Sequence, residues 1–385
     1  MTSFTFATTP KLIFAEGASQ NIAEHSSILG DQILLITDPG LFKLGLHKEA
    51  VNSLEKAGKK VSVFSEVEAD PSEAVVLAST KAATDIQATG IIGFGGGSSM
   101  DVAKLVALLA LGEEKLEDIY GIEMIKGTRL PLIQVPTTAG TGSEVTPISI
   151  VTVGAETKKG VVSSKLLPDI TILDAALTVG LPPAVTAATG VDAMVHAIEA
   201  YTSRGANNNP MSASLAKEAL RLLGQNITTA VKDGSNLKAR ANMLLGACLA
   251  GQAFANSPVA AVHALAYPLG GIFHVPHGLS NALVLPEVMQ FNAGACASEY
   301  AELAPIVFPD IDTSGGAQQT CQIFIERLAK LNKDLGLETT LREVGVKEDD
   351  LDRLADAAME QTRLLVNNPK EVTREDAFNI YRKTL

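Results

Sequence analysis

Four side chains in the second half of this chain carry ligand chemistry at informative spacings. Asp192 and His196 stand four residues apart in Gly190-Val191-Asp192-Ala193-Met194-Val195-His196-Ala197-Ile198-Glu199. If that stretch is helical, the two project from one face about one turn apart, which suits ligands sharing a cation. An exposed ion pair is the competing reading, and the apolar neighbours Val191, Ala193, Val195 and Ala197 weigh against it. His263 and His277 stand 14 residues apart. On one unbroken helix, at ~1.5 Å per residue, about 21 Å would separate them and they could not share an ion. Pro268, Gly270, Gly271 and Pro276 intervene, so the chain can turn and return His277 at the start of another helix. Taken singly, each also fits an ordinary hydrogen-bonded core histidine. One Asp with three His makes an N3O donor set without thiolate, suited to Fe2+, Zn2+, Co2+ or Mn2+ without sharp discrimination. An open coordination position would admit a substrate oxygen.

The surroundings of these histidines are unusual. From Ala241 to Pro286, 46 residues contain no Asp, Glu, Lys or Arg, yet they hold three of the six histidines, His263, His274 and His277. Such a run is either membrane or deep interior. A spanning helix needs roughly 18–25 continuous apolar residues. Asn242, Gln252, Asn256, Ser257 and the prolines at Pro258, Pro268, Pro276 and Pro286 interrupt this one, so interior is expected. Cys248 reads as a small buried thiol rather than a rival ligand. His274 has no matching partner pattern but is placed to line a pocket.

Composition bounds the class. A chain of 385 residues, 46% hydrophobic and 19% charged, is expected to form two soluble domains with sizeable cores. A net charge of −12 argues against nucleic acid and against an anionic membrane surface as partners. Cys248, Cys296 and Cys321 form no CxxC pair and fit free thiols in a reducing compartment. The opening residues lack a basic region followed by an apolar core, so no secretory signal is expected and the location read is cytoplasmic.

The elements that must position these residues change grammar midway. Short β-rich runs at 33–37, 61–64, 90–94, 132–136 and 170–174 alternate with helical stretches, which implies a parallel, doubly wound sheet covered on both faces. After Leu181-Pro182-Pro183 the strand signal nearly vanishes. Helical patterns follow at 212–223, 237–255, 323–335 and 374–384, the last opened by the capping pair Thr373 and Asp376. The expected division is a dinucleotide-binding α/β domain over 1–181 and an all-α metal-binding domain over 182–385.

Within the first part, Phe94-Gly95-Gly96-Gly97-Ser98-Ser99-Met100-Asp101 follows a strand and opens a helical run at 102–111. Glycines there let backbone N–H groups approach a diphosphate, and the helix N-terminus adds partial positive charge. An ordinary tight turn is the bland alternative, and Asp101 either completes the helix cap or belongs to the cofactor site. Asp38, directly after the first apolar strand, can accept hydrogen bonds from a ribose diol and would repel a 2′-phosphate, which favours NAD over NADP. It equally suits a turn before Pro39. Pro136-Thr137-Thr138-Ala139-Gly140-Thr141-Gly142-Ser143-Glu144 offers hydroxyls and glycines suited to lining a polar ligand. Lys158 and Lys159 read equally as solvent-exposed or as cofactor contacts.

These blocks, in this order, make the whole chain resemble the iron-dependent (group III) alcohol dehydrogenases. The resemblance rests on Gly95-Gly96-Gly97-Ser98 with Asp101-Val102-Ala103-Lys104, on the 136–144 block, on Ala188-Thr189-Gly190-Val191-Asp192-Ala193 with His196-Ala197-Ile198-Glu199, and on His263 with Pro276-His277-Gly278. It implies a Rossmann-like N-terminal domain, a helical C-terminal domain carrying the metal, a nicotinamide cofactor in the cleft between them, and a homodimer. Asp192, His196, His263 and His277 would then hold the metal, with Fe2+ expected and Zn2+ or another divalent ion possible. Gly96, Gly97 and Ser98 would contact the pyrophosphate, Thr137, Thr138 and Thr141 would flank the cofactor, and Lys159 would lie near the nicotinamide end. Asp38 matches the position associated with NAD preference.

One departure stands out. Many members of that family carry a second histidine four residues after the one matching His263, near the substrate, where it can carry a proton. This chain has Tyr267. A phenol, with a pKa of about 10, is a poorer carrier at neutral pH than an imidazole at about 6.5, so Tyr267 is read as shaping the pocket; water or His274 is the alternative proton path. The resemblance implies a metal-dependent NAD(H) alcohol dehydrogenase or aldehyde reductase acting on a small alcohol or aldehyde. A hydroxyacid–oxoacid transhydrogenase on the same fold is the alternative. A dehydroquinate-synthase-like lyase would want basic residues for a phosphate substrate, which the charge-free run does not supply. A non-catalytic NAD- or metal-binding relative is the remaining reading.

Overall fold

The computed structural model describes residues 3–154 and 157–385. The chain forms two compact units, Ala7–Val179 on one hand and Met1–Phe6 with Gly180–Leu385 on the other. The division thus lies just before the Pro182-Pro183 pair, and residues 3–6 join the helical unit. There the Thr5 N–H donates to Asn207 Oδ1 and Asn207 Nδ2 donates to the Thr5 carbonyl, both at 2.9 Å.

Among its described residues the Ala7–Val179 unit has nine strands: β1 (Lys11–Phe14), β2 (Gln32–Ile36), β3 (Lys60–Phe64), β4 (Gly90–Gly95), β5 (Gly121–Ile122), β6 (Leu132–Pro136), β7 (Ile148–Val153), β8 (Thr157–Val162) and β9 (Ile170–Leu173). Its helices are α1 (Pro39–Leu44), α2 (Lys48–Lys56), α3 (Glu73–Asp85) and α4 (Gly97–Leu109). Six strands pair in parallel in the order β1-β9-β6-β4-β2-β3. Side chains alternate between faces along each strand. Leu34, Ile36 and Ile91 pack with Val76, Val102 and Val106 on one face, while Ile33, Leu35, Ile92 and Phe94 pack with Ile22, Ala50 and Leu54 on the other. Both faces are therefore covered, and this explains why the strands read as unbroken apolar runs.

Three features differ from the sequence reading. The short edge strand β1 and the small sheet β5-β8-β7 were not foreseen; β8, Thr-Lys-Lys-Gly-Val-Val, has neither sustained alternation nor an apolar run. Helix α4 begins at Gly97, five residues before the expected start, because its first turn is made of Gly97, Ser98 and Ser99, which are weak helix formers. Asp101 consequently lies in the second turn and does not cap the helix.

The Gly180–Leu385 unit contains α5 (Pro183–Thr202), α6 (Pro210–Lys232), α7 (Leu237–Asn256), α8 (Ala261–Phe273) and α9 (His277–Val307). These are followed by α10 (Gly316–Asp334), α11 (Leu351–Met359), α12 (Thr362–Leu365) and α13 (Arg374–Thr384). No strand occurs here among the described residues, as the loss of strand signal predicts. Thr373 and Asp376 form the reciprocal cap expected for α13. Helix α5 is buried around most of its circumference and packs against α6, α7 and α9. Gly190 permits the close approach, since a Cβ there would meet Met243 Cε at 2.7 Å and Ile227 Cδ1 at 2.9 Å. No single helix among the described residues is long and apolar enough to cross a membrane, and α7 and α8, apolar in sum, turn by 107° between them.

A buried charged cluster ties α4 to the loop after β6. Lys104 is wholly buried, and its ammonium donates to Ser143 Oγ at 2.8 Å, Thr146 Oγ1 at 3.2 Å and the Ile148 carbonyl at 2.6 Å. Beside it Glu144 is 2% exposed, and burial pushes its carboxyl up to about 7 against the partial opposition of Lys104. The folded protein thus binds this proton more tightly than the unfolded chain does, so stability falls as pH rises from about 4.5 through about 7. Replacing Glu144 with Gln is expected to flatten that slope, which thermal melts from pH 5 to pH 8 will measure.

Candidate metal centre and nucleotide loop

The four ligands expected from spacing converge. One donor atom from each of Asp192, His196, His263 and His277 lies within 4.8 Å of the others. Helix α5 supplies Asp192 and His196 from one face, as i and i+4. Helix α8 supplies His263 in its first turn, and His277 opens α9. The Asp192 Oδ1 atom is 3.6 Å from His277 Nε2 and 4.0 Å from the Nε2 atoms of His196 and His263.

The return of His277 is made differently from the sequence expectation. Helix α8 runs through Pro268, Gly270 and Gly271 without breaking, although proline removes a helical donor. The turn is made by His274, which closes α8 in the left-handed conformation (φ 57°) with its N–H on the Gly270 carbonyl at 3.1 Å. Pro276 then caps α9. His274 itself is exposed, at a helix end. Gly278 completes the arrangement: a Cβ there would stand 2.4 Å from the Ala188 carbonyl oxygen, so only glycine lets the start of α9 press on α5 beside Asp192.

Two further residues belong to this site. Asn281, one turn after His277, donates from Nδ2 to Asp192 Oδ1 at 2.6 Å and lies 3.3 Å from both His263 Nε2 and His277 Nε2. Its Oδ1 is buried and has no hydrogen-bond partner among the described residues. Glu199 reaches His263 Nδ1 at 2.6 Å. Neither had been singled out from sequence. Asn281 carries no such signal, but Glu199 sits at i+3 from His196 within the same motif. The rings of His196 and His263 stack at 4.7 Å, Phe254 stacks on the other side of His196 at 4.4 Å, and the Tyr267 ring lies 5.9 Å from that of His277.

The electrostatics suit a cation. Burial alone would raise the Asp192 carboxyl, but the imidazoles of His196, His277 and His263, with the Asn281 amide, outweigh it and hold the carboxyl below its ordinary range. A carboxylate and imidazole lone pairs aimed at a common point form the donor chemistry of a divalent ion, and the Ala241–Pro286 run that supplies His263 and His277 holds no Lys or Arg to compete for them. The donor set therefore fits a metal. His277 is 34% exposed while the other three candidate donors are nearly inaccessible, so the open side is that of His277 and Tyr267.

In the Ala7–Val179 unit, the sheet order reverses at β2: β3 lies on one side of it and β4 on the other. Ligands of open α/β sheets bind outside the carboxyl ends of strands at such a point. Asp38 follows β2 there and Gly96 follows β4. Asp38 caps α1, its Oδ1 accepting the Leu41 N–H at 2.9 Å. Gly96 caps α4 without a side-chain acceptor, leaving N–H groups of the first turn, including that of Ser98, without the usual side-chain partner. A Cβ on Gly96 would meet nothing nearer than Thr138 at 3.7 Å, so packing does not require glycine there, whereas backbone approach to a ligand would. At Gly97, by contrast, a Cβ would press on Thr141 Cγ2 at 2.9 Å. Thr137 is buried and its N–H donates to the Gly95 carbonyl at 3.0 Å.

Asp101 is engaged internally: its carboxylate accepts from Ser143 Oγ at 2.5 Å and the Ile150 N–H at 2.9 Å, with Lys104 Nζ at 3.5 Å. Lys158 pairs with Asp70 at 2.6 Å, and Lys159 stands 5.2 Å over the Tyr120 ring.

Fold and site together are those of a metal-dependent dehydrogenase built from an α/β unit and a helical unit. Residues 9–175 match the model of the iron-containing alcohol dehydrogenases, and residues 186–385 match that of the C-terminal part of the Fe-containing alcohol dehydrogenase family. Long-chain-alcohol dehydrogenase 1 of Geobacillus thermodenitrificans is 40% identical over 94% of this chain and 91% of that protein. The crystal structure of a 1,3-propanediol oxidoreductase superposes with a TM-score of 0.95 at 34% identity, covering 100% of both chains. That of sulfoacetaldehyde reductase from Bifidobacterium kashiwanohense in complex with NAD+ does so with a TM-score of 0.87 at 28% identity, covering 99% of this chain and 98% of the other. The chain belongs to the iron-containing alcohol dehydrogenase family, and it is an alcohol dehydrogenase.

The geometry at Gly278 gives a direct test. Gly278→Ala is expected to push α9 from α5, lower the melting temperature by an amount equivalent to about 1–3 kcal/mol, and weaken binding of added Zn2+. Calorimetry and chelator competition measure both.

Proposed function

We propose that the enzyme oxidises small alcohols and reduces the corresponding aldehydes with NAD(H), using a divalent cation held by Asp192, His196, His263 and His277. The convergence of these four donors, three of them buried, carries the reading. Family membership favours Fe2+, while the N3O set also accepts Zn2+. When bound, the cation supplies Lewis-acid polarisation of the substrate oxygen, and the nicotinamide supplies the hydride acceptor or donor.

The protein's own residues bind, orient and insulate. Asp192 contributes the negative charge of the donor set, and the stack of Phe254, His196 and His263 limits ring movement on the buried side. Tyr267, beside the more open His277, shapes the approach of the substrate. In the nucleotide-binding unit, Gly96, Gly97 and Ser98 would present backbone N–H groups to the pyrophosphate. Thr137, Thr138 and Thr141 would flank the cofactor, Lys159 would serve its nicotinamide end, and Asp101 would hold the loop through Ser143. Asp38 would receive the ribose diol on its carboxylate while capping α1. The same reading takes the protein as a cytoplasmic homodimer: three buried cysteines without a CxxC pair support a reducing compartment, and the family resemblance supports the dimer. Hydroxyacid–oxoacid exchange has no observation that favours it over alcohol oxidation.

NADH appearance with a panel of short primary alcohols tests the activity. Exhaustive chelation is expected to abolish it and Fe2+ or Zn2+ to restore it; turnover that survives metal removal would refute the role of the cation. Asp38→Gly is expected to lower the NAD+/NADP+ preference in kcat/KM by about tenfold or more, since each 1.4 kcal/mol of lost discrimination is a factor of ten. Tyr267→Phe is expected to leave the pH profile of kcat unmoved, because a pocket-shaping ring does not need its hydroxyl.

A further inference from the structure

We infer that Glu199 is a positioning residue of the metal centre: its carboxylate fixes the proton of His263 on Nδ1 and so turns the Nε2 lone pair toward Asp192, His196 and His277. The inference rests on the metal centre proposed above. Glu199 follows Asp192 by seven residues and His196 by three on α5, so all three share one helix face. It is 4% exposed. Its Oε2 lies 2.6 Å from His263 Nδ1, and its Oε1 accepts the Val262 N–H at 2.7 Å.

The second contact decides the first. Helix α8 starts at Ala261, and its N-cap, Ala260, offers no side-chain acceptor. Glu199 therefore serves one of the N–H groups orphaned at the helix start. A backbone N–H can only donate, so one carboxylate oxygen is committed to Val262. The other oxygen faces His263 Nδ1 at 2.6 Å, and a carboxylate oxygen only accepts. His263 Nδ1 must then carry the hydrogen, which leaves the lone pair of the neutral ring on Nε2. That is the nitrogen 4.0 Å from Asp192 Oδ1. A carboxamide at 199 has one acceptor for two donors. With its oxygen on Val262, its NH2 would face Nδ1 and favour the tautomer with hydrogen on Nε2, which cannot ligate. Acceptors behind a ligating imidazole also raise its basicity.

Two measurements test this: competition of the protein with a chromophoric chelator for Zn2+, and 15N NMR of the His263 ring in metal-free protein. Wild type is expected to show hydrogen on Nδ1. Glu199→Gln should bind Zn2+ about 10–100-fold more weakly and shift His263 toward the Nε2–H form, with Glu199→Asp, which keeps both acceptor oxygens, lying between. Zn2+ affinity of Glu199→Gln within twofold of wild type, or an Nε2–H ring in the wild-type protein, would overturn the assignment. If wild type binds no Zn2+, the metal centre itself fails, while the tautomer still decides what Glu199 does. Should Glu199→Gln not fold, the wild-type tautomer and Glu199→Asp carry the test.

Discussion

A carboxylate oxygen and imidazole nitrogens aimed at one buried point need a positive partner between them. Without one, their lone pairs face each other in a medium that screens charge poorly. In this protein an N–H of Asn281 stands among Asp192, His263 and His277, which shows how strongly the point calls for a donor or a cation. Much of the helical unit's local design follows from maintaining that convergence. Helix α5 is buried around most of its surface, because it must present Asp192 and His196 deep inside the bundle. The start of α9 presses against α5 so closely that residue 278 has no room for a side chain.

The absence of charge along Ala241–Pro286 is part of the same constraint. A lysine or arginine near the four donors would compete for them, and an additional carboxylate would add repulsion that no nearby partner could absorb. Small apolar residues instead let α7 pack on α5 and α6, and α8 on α9, and the low polarity of their surroundings strengthens whatever electrostatic interaction the donors make. Glu199 is the exception that supports this account. Its charge is placed behind His263, where both oxygens are occupied by donors of α8.

The α/β unit meets a different demand, a helix start without a side-chain cap whose loop does not collapse. Helix α4 begins on glycine and serine with no side-chain cap, which leaves its positive end open. The rigidity that such residues lack comes from one turn further on. Asp101 and Lys104 anchor the helix to Ser143, Thr146 and the backbone at Ile148 and Ile150. Buried charges are costly unless paired and hydrogen-bonded, and these are both. Asp101, noticed in the sequence as a neighbour of the glycines, is thereby a clamp on the loop, and Lys104 and Glu144 are its unforeseen companions.

Much of this protein was legible in short windows of sequence. The apolar runs at β2, β4, β6 and β9, the change to helical patterning after Pro182-Pro183, and the i, i+4 relation of Asp192 and His196 are local periodicities that any helix or strand must express. The four metal-ligand candidates were readable for the same reason, together with the lack of charge around three of the histidines. What only the tertiary structure decided are relations between segments far apart in the chain. The turn that returns His277 depends on a left-handed His274, whose N–H bonds the Gly270 carbonyl, and not on a break of α8 at its prolines and glycines. The partnership of Glu199 with His263 spans 64 residues, and that of Asn281 with Asp192 spans 89. Sequence periodicity fixes which way a side chain points along its own helix, whereas the partner it meets is set by which helices pack together and how closely their backbones can approach.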